Sequence, residues 1–487
     1  MSLKKAIYIN MIAKYSNTVI NLIFSVILAH ILKPSDYGVV AIVTVFSLFF
    51  LIMADMSMGS AIVQNKDLTR EDDNSIFSFS FVLGIVLAVI FAALAFPVAK
   101  FYRNDAYLII FPLMSISIFF NAINMVPNAK LMKDKKFLKV GIRTVTITVV
   151  TFTIAVIMAI KGADYYALVV QTILSAIFTF IWNFIGTGLR LTKIRRESIS
   201  KIKNFFAYLF AYEIIYYFSR NIDNMLLGRF VTKKQLGFYD KGYRLMIYPI
   251  NNLTYAVTPG LHSMLSDFQN NKEYIYKQYV KIAKILSLIG LYISVVGFFC
   301  SKEIIFIMLG NQWDGAVKCL QILSISVWAQ IVASSTTAIY MSLGKTKIMF
   351  KSGAIHIAVT VGLIVIGVLT RDINKVAICV TVGMFVKFFV EFYFLIVKTF
   401  EMSLWRYYKN FIIDITMGAV LVAAFIGLIF IPMGNIWVSA IVKIGISALL
   451  YFIMLLATGQ IEYVVIMLPS KIQKILPKFI LNRCSGV

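Results

Sequence analysis

At 487 residues, with 60% hydrophobic and 14% charged residues and a mean hydropathy of +0.85, this chain lies outside the range of soluble globular proteins. Its net charge of +25 invites a nucleic-acid reading, but no groove- or base-reading element accompanies the charge, and nucleic acid is excluded as a partner. The four cysteines (Cys300, Cys319, Cys379 and Cys484) and three histidines stand at neither metal-ligand nor disulfide-framework spacing, so neither metal nor cofactor is expected and Cys300 and Cys319 read as free thiols.

A membrane helix needs about 20 mostly apolar residues, and such runs recur about fourteen times: 10–32, 38–64, 75–98, 106–127, 138–160, 164–189, 205–229, 235–262, 282–300, 316–343, 350–369, 374–397, 411–432 and 436–458. The fold class expected is therefore an all-α integral membrane protein with short loops. The first run follows only Lys4 and Lys5, exceeds a signal-peptide core and lacks a small-x-small cleavage pattern, so it reads as retained.

Taken in chain order, the first span, NMIAKYSNTVINLIFS (10–25), carries Asn10, Lys14, Asn17, Asn21 and Ser25 on one helical face. The second ends with Asp55 in MADMSMGSA, read either as an ion or proton site or as a cap on a bent segment. The seventh, YEIIYYFSRNIDN (212–224), sets Glu213, Tyr217, Arg220 and Asn224 on one face with Asp223 nearby. The eighth, FYDKGYRLMIYPINN (238–252), aligns Asp240 with Arg244, borders them with Lys241 and continues the face through Tyr248, Asn251 and Asn252. A charge at mid-bilayer costs roughly 2.5–3.5 kcal/mol, so such groups face a hydrated cleft or a partner. The plainer alternative makes Arg220–Asp223 and Asp240–Arg244 intrahelical ion pairs, and lets Lys14 and Glu213 snorkel to the cytoplasmic headgroups. Lys387 and Glu391 read as a local pair, and Lys443 as a snorkelling or packing residue.

Three prolines, Pro112, Pro249 and Pro259, allow bends in the fourth and eighth spans. The segment 302–316, ending near Trp313, is too short to span and reads as an interfacial piece. The basic run 129–143 reads as a surface helix on anionic lipid, with recruitment of a lipid-linked substrate as the sharper alternative.

With the N-terminus inside, the cytoplasmic loops and tails hold 30 of the 47 Lys and Arg, the outer loops 11 and the spans six. This bias is the positive-inside rule, and it predicts that both termini are cytoplasmic. After the basic stretch 190–203 the N-terminal pattern restarts. ILKPSDYGVVA (31–41) and FVTKKQLGFYDKG (230–242) occupy matching places, and setting Gly38 against Gly237 gives an offset of 199. The expected organisation is an N-terminal lobe over 1–190 (helices 1–6), a basic cytoplasmic linker over 191–204, a C-terminal lobe over 205–400 (helices 7–12), and helices 13–14 with a basic tail over 401–487. Parallel repeats of this kind place a site between two similar halves. LGKT at 343–346 resembles the tail of a phosphate-binding loop, but Ile339 stands where its glycine is required. No nucleophile-and-base pair appears, so no catalytic residues and no enzyme are expected.

The segments LKPSDYGVVAIVTVFSLFFLIMADMSMGSAIVQ (32–64), NIDNMLLGRFVTKKQLGFYDKGYRLMIYPINNL (221–253) and MLGNQWDGAV (308–317) are similar to the polysaccharide (O-antigen/teichuronic-acid type) flippase family of the multidrug/oligosaccharidyl-lipid/polysaccharide exporter superfamily. The resemblance covers about residues 10 to 400. It implies two six-helix lobes in a V-shaped arrangement plus two C-terminal helices, in the bacterial cytoplasmic (inner) membrane. By alternating access these would move an undecaprenyl-pyrophosphate-linked oligosaccharide to the outer leaflet. Membrane lipids, a polysaccharide polymerase and chain-length machinery are the other implied partners. Against a pyrophosphate and sugar hydroxyls, Lys14, Asn17, Asn21, Arg220, Lys241 and Arg244 become the expected substrate-binding residues. Asp55, Glu213, Asp223 and Asp240 become the candidates for ion coupling. The alternative is a cation-coupled multidrug exporter of the same superfamily, which would have a smaller, more acidic and aromatic pocket.

Overall fold

The computed structural model describes residues 3–55, 58–65, 67–200, 217, 221–266, 268–269, 271–431 and 433–467, and every regular element among them is a helix. The chain falls into two compact units, 1–237 and 238–487.

The first unit contains α1 (Leu3–Ile31), α2 (Pro34–Asp55), α3 (Met58–Gln64), α4 (Arg70–Ala93), α5 (Ala95–Tyr102), α6 (Ala106–Lys133), α7 (Phe137–Ile160), α8 (Tyr166–Phe184), α9 (221–230) and the start of α10 (Lys233–Ser266). α4 starts sharply because Thr69 and Asp72 form a reciprocal capping box and Glu71, Asp72 and Asp73 fill the first turn. It breaks from α5 at Leu94, where Pro97 supplies no N–H to the Ala93 carbonyl. α6 is the central helix, packed on α2, α4, α5 and α8, while α1 lies on α7. Its interior is aromatic: Phe91 and Phe111 stack at 4.7 Å, and Phe50 meets Phe91 edge-on at 5.1 Å.

The basic segment after α8 is strapped to α4. The backbone N–H groups of Arg190, Thr192 and Arg195 donate to the side chains of Asn74, Ser78 and Ser75 at 3.0, 2.7 and 2.8 Å. Ser198 Oγ donates to Asp72 at 2.6 Å. Residues 201–204 lie outside the described residues.

The second unit continues α10 and adds α11 (Lys272–Phe299), α12 (Ser301–Met308), α13 (Val317–Ser324), α14 (Val327–Ala333), α15 (Thr336–Ser342), α16 (Thr346–Leu369), α17 (Ile373–Phe392, extended by a π turn to Thr399), α18 (Leu404–Tyr408), α19 (Ile412–Ile429), α20 (Ile436–Ala457) and α21 (Ile461–Met467). The expected span 316–343 is three short helices, bent by 50° between Asn311–Ser324 and Val327–Ser342. The physical reason is the hydroxyl-rich sequence. Ser324, Ser326, Ser335 and Thr336 each return a hydrogen bond to a carbonyl three or four residues back, competing with the helix ladder. α10 runs unbroken through Pro249 and Pro259. Trp313 corrects another expectation: it is wholly buried, 6.1 Å from the Phe238 ring, and anchors nothing at an interface.

Eleven described helices are long and apolar enough to cross a membrane, and the bent pair makes a possible twelfth. Of the two remaining expected spans, 205–229 lies mostly outside the described residues, and α10 is long enough but too polar, with Asn251, Asn252 and Tyr248 in its interior. A count of fourteen therefore stays an expectation. Large aliphatic side chains such as Val89, Ile366, Ile441 and Leu449 stand more than half exposed, as a lipid-facing surface requires. The chain is a multi-pass membrane protein.

Candidate functional site

The polar stripe of α1 is partly answered by α7. Thr148 Oγ1 donates to Asn17 Oδ1 at 2.8 Å, and Asn21 Nδ2 donates to the Asn17 carbonyl at 2.8 Å. Lys14 sits half-buried one turn earlier, while Ile12, Tyr15, Val19, Ile23 and Ile27 form the exposed opposite face. Asp55 ends α2 exposed.

On α9, Asp223 and Asn224 are buried, and the Asn224 N–H donates to Asp223 Oδ1 at 2.8 Å. This helix packs within the first unit, where the Tyr102 hydroxyl donates to the Met225 carbonyl at 3.0 Å; before it in the chain, the Tyr217 hydroxyl donates to the Val45 carbonyl. Arg220 and Glu213 lie outside the described residues.

In the second unit, Arg244 Nε donates to Asp240 Oδ2 at 2.7 Å, an i,i+4 pair in which the carboxylate is buried and the guanidinium half-exposed. Lys241 is buried beside them. The intrahelical pairing thus holds for Asp240 and Arg244. Lys387 and Glu391 form the expected local pair at 3.8 Å, with Glu391 also accepting from Thr336 at 3.1 Å. Lys14, Asn17 and Asn21 belong to one unit and Asp240, Lys241 and Arg244 to the other.

The two repeat motifs do meet, inside the first unit. The Lys33 N–H donates to Asp36 Oδ2 at 2.9 Å at the start of α2, and the Thr232 N–H donates to Gln235 Oε1 at 3.1 Å at the start of α10. Further in, a Cβ on Gly38 would collide with the Lys233 carbonyl, and a Cβ on Gly237 with the Pro34 carbonyl. All four pairs, 33 with 232, 36 with 235, 34 with 233 and 38 with 237, are related by the offset of 199. The contact is symmetric under that offset, and only glycine allows backbones this close.

Three buried polar networks escaped the sequence reading. Arg143 donates to Asn128 at 3.0 Å and Asn183 at 2.7 Å, and Asn183 donates to Asn124 at 2.8 Å, joining α6, α7 and α8. Lys284 on α11 pairs with Asp414 on α19, and Ser287 adds a hydrogen bond to the same carboxylate at 2.7 Å. Lys443 on α20 pairs with Glu303 on α12 at 2.5 Å, supported by Ser439 at 2.6 Å. The partners are far apart in sequence; the only linear signal is a charged residue within or beside an apolar run.

Burial alone raises the Glu303 carboxyl, but the hydrogen bonds from Lys443 and Ser439 outweigh it and hold the group below the ordinary glutamate range. A lowered carboxyl pKa stabilises the folded protein above the unfolded value, and that contribution is lost as pH falls through the folded value. The wild-type melting temperature is therefore expected to fall on acidification below about pH 4.3. Glu303→Gln should start lower at neutral pH and fall less over that window. Parallel wild-type and mutant profiles would contradict the assignment.

Among the described residues no group of His, Cys, Asp and Glu can hold a metal ion. A family model described as "Polysaccharide biosynthesis protein" matches residues 27–318. An uncharacterized membrane protein in the cps region of Klebsiella pneumoniae is 22% identical over 394 residues, 80% of this chain and 81% of that one. The lipopolysaccharide biosynthesis protein WzxC of Escherichia coli K12 is 22% identical over 358 residues, 72% of this chain and 71% of that one. Among solved structures, the lipid II flippase MurJ in an inward closed conformation matches 93% of this chain and 98% of its own with a TM-score of 0.75 at 15% identity, a likeness of fold. Because the matched model spans more than half of the sequence, the chain belongs to the polysaccharide biosynthesis protein family.

Proposed function

We propose that this protein is a flippase that carries undecaprenyl-pyrophosphate-linked polysaccharide repeat units from the inner to the outer leaflet of the bacterial cytoplasmic membrane, with both termini inside and no catalytic step of its own. The observation that carries the reading is membership of a polysaccharide biosynthesis family together with a fold shared over nearly the whole chain with a lipid II flippase. Two six-helix repeats would rock to expose the headgroup alternately to either side while the polyprenyl tail stays in lipid. Lys14, Asn17, Asn21, Arg220, Lys241 and Arg244 would hold the pyrophosphate and sugar, cations meeting phosphate and amides meeting hydroxyls. Arg244 keeps Asp240 satisfied and still presents half of its surface, so it supplies phosphate contact without leaving a bare buried carboxylate. Asp55, Glu213, Asp223 and Asp240 remain the groups through which an ion would couple.

Replacing both Lys241 and Arg244 by glutamine is expected to reduce surface polysaccharide, normalised to the amount of protein in the membrane, by tenfold or more, a transport barrier higher by about 1.4 kcal/mol or above. Undecaprenyl-linked oligosaccharide should accumulate on the cytoplasmic face at the same time. Wild-type polysaccharide in the double variant would remove these residues from the substrate path.

A further inference from the structure

A cavity of about 440 Å³ opens where the end of α5, the start of α6, the end of α9 and the start of α10 converge in the first unit. Its polar wall consists of Lys233, Lys234, Asn104 and Thr232, and its apolar wall includes Tyr102 and Tyr107; among the described residues no carboxylate lines it. Asn104 is 8% exposed. Its Oδ1 is fixed by Lys233 Nζ at 2.8 Å and by the Ala106 N–H at 3.3 Å, which turns the amide nitrogen the other way. That nitrogen, beside the Tyr107 hydroxyl, is buried with no partner in hydrogen-bonding geometry. A buried donor left unmade is unfavourable unless something supplies an acceptor.

We propose that this cavity binds an anionic polyol, a carboxylate- or phosphate-bearing sugar or glycerol unit. The two ammonium groups neutralise the anion, Asn104 Nδ2 and Thr232 Oγ1 hydrogen-bond oxygens, and the tyrosine rings cover the C–H face. Its volume falls within the ordinary range for small-ligand pockets, about 300–1,000 Å³. On the orientation given under the proposed function the cavity lies at the outer ends of the helices. There it would receive an acidic sugar of the exported glycan or the phosphoglycerol headgroup of an outer-leaflet lipid. Neither ligand needs to be transported for the site to bind it.

The test uses the purified full-length protein in detergent, titrated by calorimetry with glucuronate, glycerol 3-phosphate and neutral glucose. Binding of glucuronate, of glycerol 3-phosphate or of both, without glucose, supports the site, and the tighter of the two anions names the source. Asn104→Asp keeps the size of the side chain and its bond to Lys233 but replaces the donor by a negative charge, and it should weaken the bound anion by about tenfold or more. Lys234→Gln should weaken it by a comparable factor, and added salt should weaken the wild type. Equal binding of glucose, binding unchanged in both variants, or no binding of either anion overturns the proposal. Because no transport is measured, a failed flippase assay leaves this result standing, and the reverse also holds.

Discussion

Replacing Lys284 by methionine is expected to destabilise the protein by about 3–5 kcal/mol, and replacing Asp414 by leucine in the same chain to restore most of that loss. The Lys284 side chain is 5% exposed and that of Asp414 fully buried. Lys284 also donates to the Asn410 carbonyl at 2.6 Å, and Trp328 Nε1 donates to Ser287 Oγ at 2.9 Å. The network therefore ties α11 to α19 and to α14. Removing only the ammonium leaves a carboxylate with the Ser287 hydroxyl as donor and no countercharge from Lys284, and that uncompensated charge is the costly species. Removing both charges replaces two desolvated ions by apolar volume next to Leu288, Met417 and Leu421. Melting temperatures in detergent check the result. A neutral single variant, or a double variant as unstable as the single, would contradict it.

The second large effect lies at the Gly38–Gly237 crossing. Gly38→Ala and Gly237→Ala should each cost roughly 1–3 kcal/mol, the range for overpacking a close contact. The obstructing atoms are backbone carbonyls of Lys233 and Pro34, which cannot rotate away as a side chain would. The starts of α2 and α10 must separate to admit either methyl. A separation that relieves one clash relieves its symmetric counterpart, so the double variant should lose clearly less than the sum of the singles. Additive losses would show that the two contacts are independent, against the local two-fold relation. A loss at only one of the two glycines would do the same.

What the sequence made legible follows a physical pattern. Features written over a short stretch of chain survive into the structure: the apolar runs that become α4, α6 and α7, the Lys387–Glu391 pair one helical turn apart, and the Asp240–Arg244 pair. The repeat was readable because Gly38 and Gly237 are constrained by the same close approach, and matching N-terminal boxes at 33/36 and 232/235 accompany them. Contacts decided in three dimensions were not readable. Nothing local to Lys284 marks it for Asp414, which stands 130 residues away in sequence. Trp313 has the composition of a headgroup anchor, yet it is buried in the core edge-on to Phe238, whose ring in turn packs on Gly315. The span 316–343 was apolar enough to pass as one helix because hydropathy does not register serine hydroxyls that bond back to the helix. The hydrogen bond from Thr148 to the Asn17 side-chain oxygen, 131 residues away in sequence, is likewise announced by no local spacing.

The central claim, movement of a lipid-linked glycan between leaflets, is tested most directly in inner-membrane vesicles from a strain in which this chain is the sole flippase for its glycan. Labelled undecaprenyl-pyrophosphate oligosaccharide is made on the cytoplasmic face, and the fraction reached by a membrane-impermeant glycosidase on the opposite face is followed with time. The account predicts that this fraction rises with the wild-type protein, stays at background without it, and rises at least about tenfold more slowly when Lys241 and Arg244 are both glutamine. Equal exposure with and without the protein would contradict it.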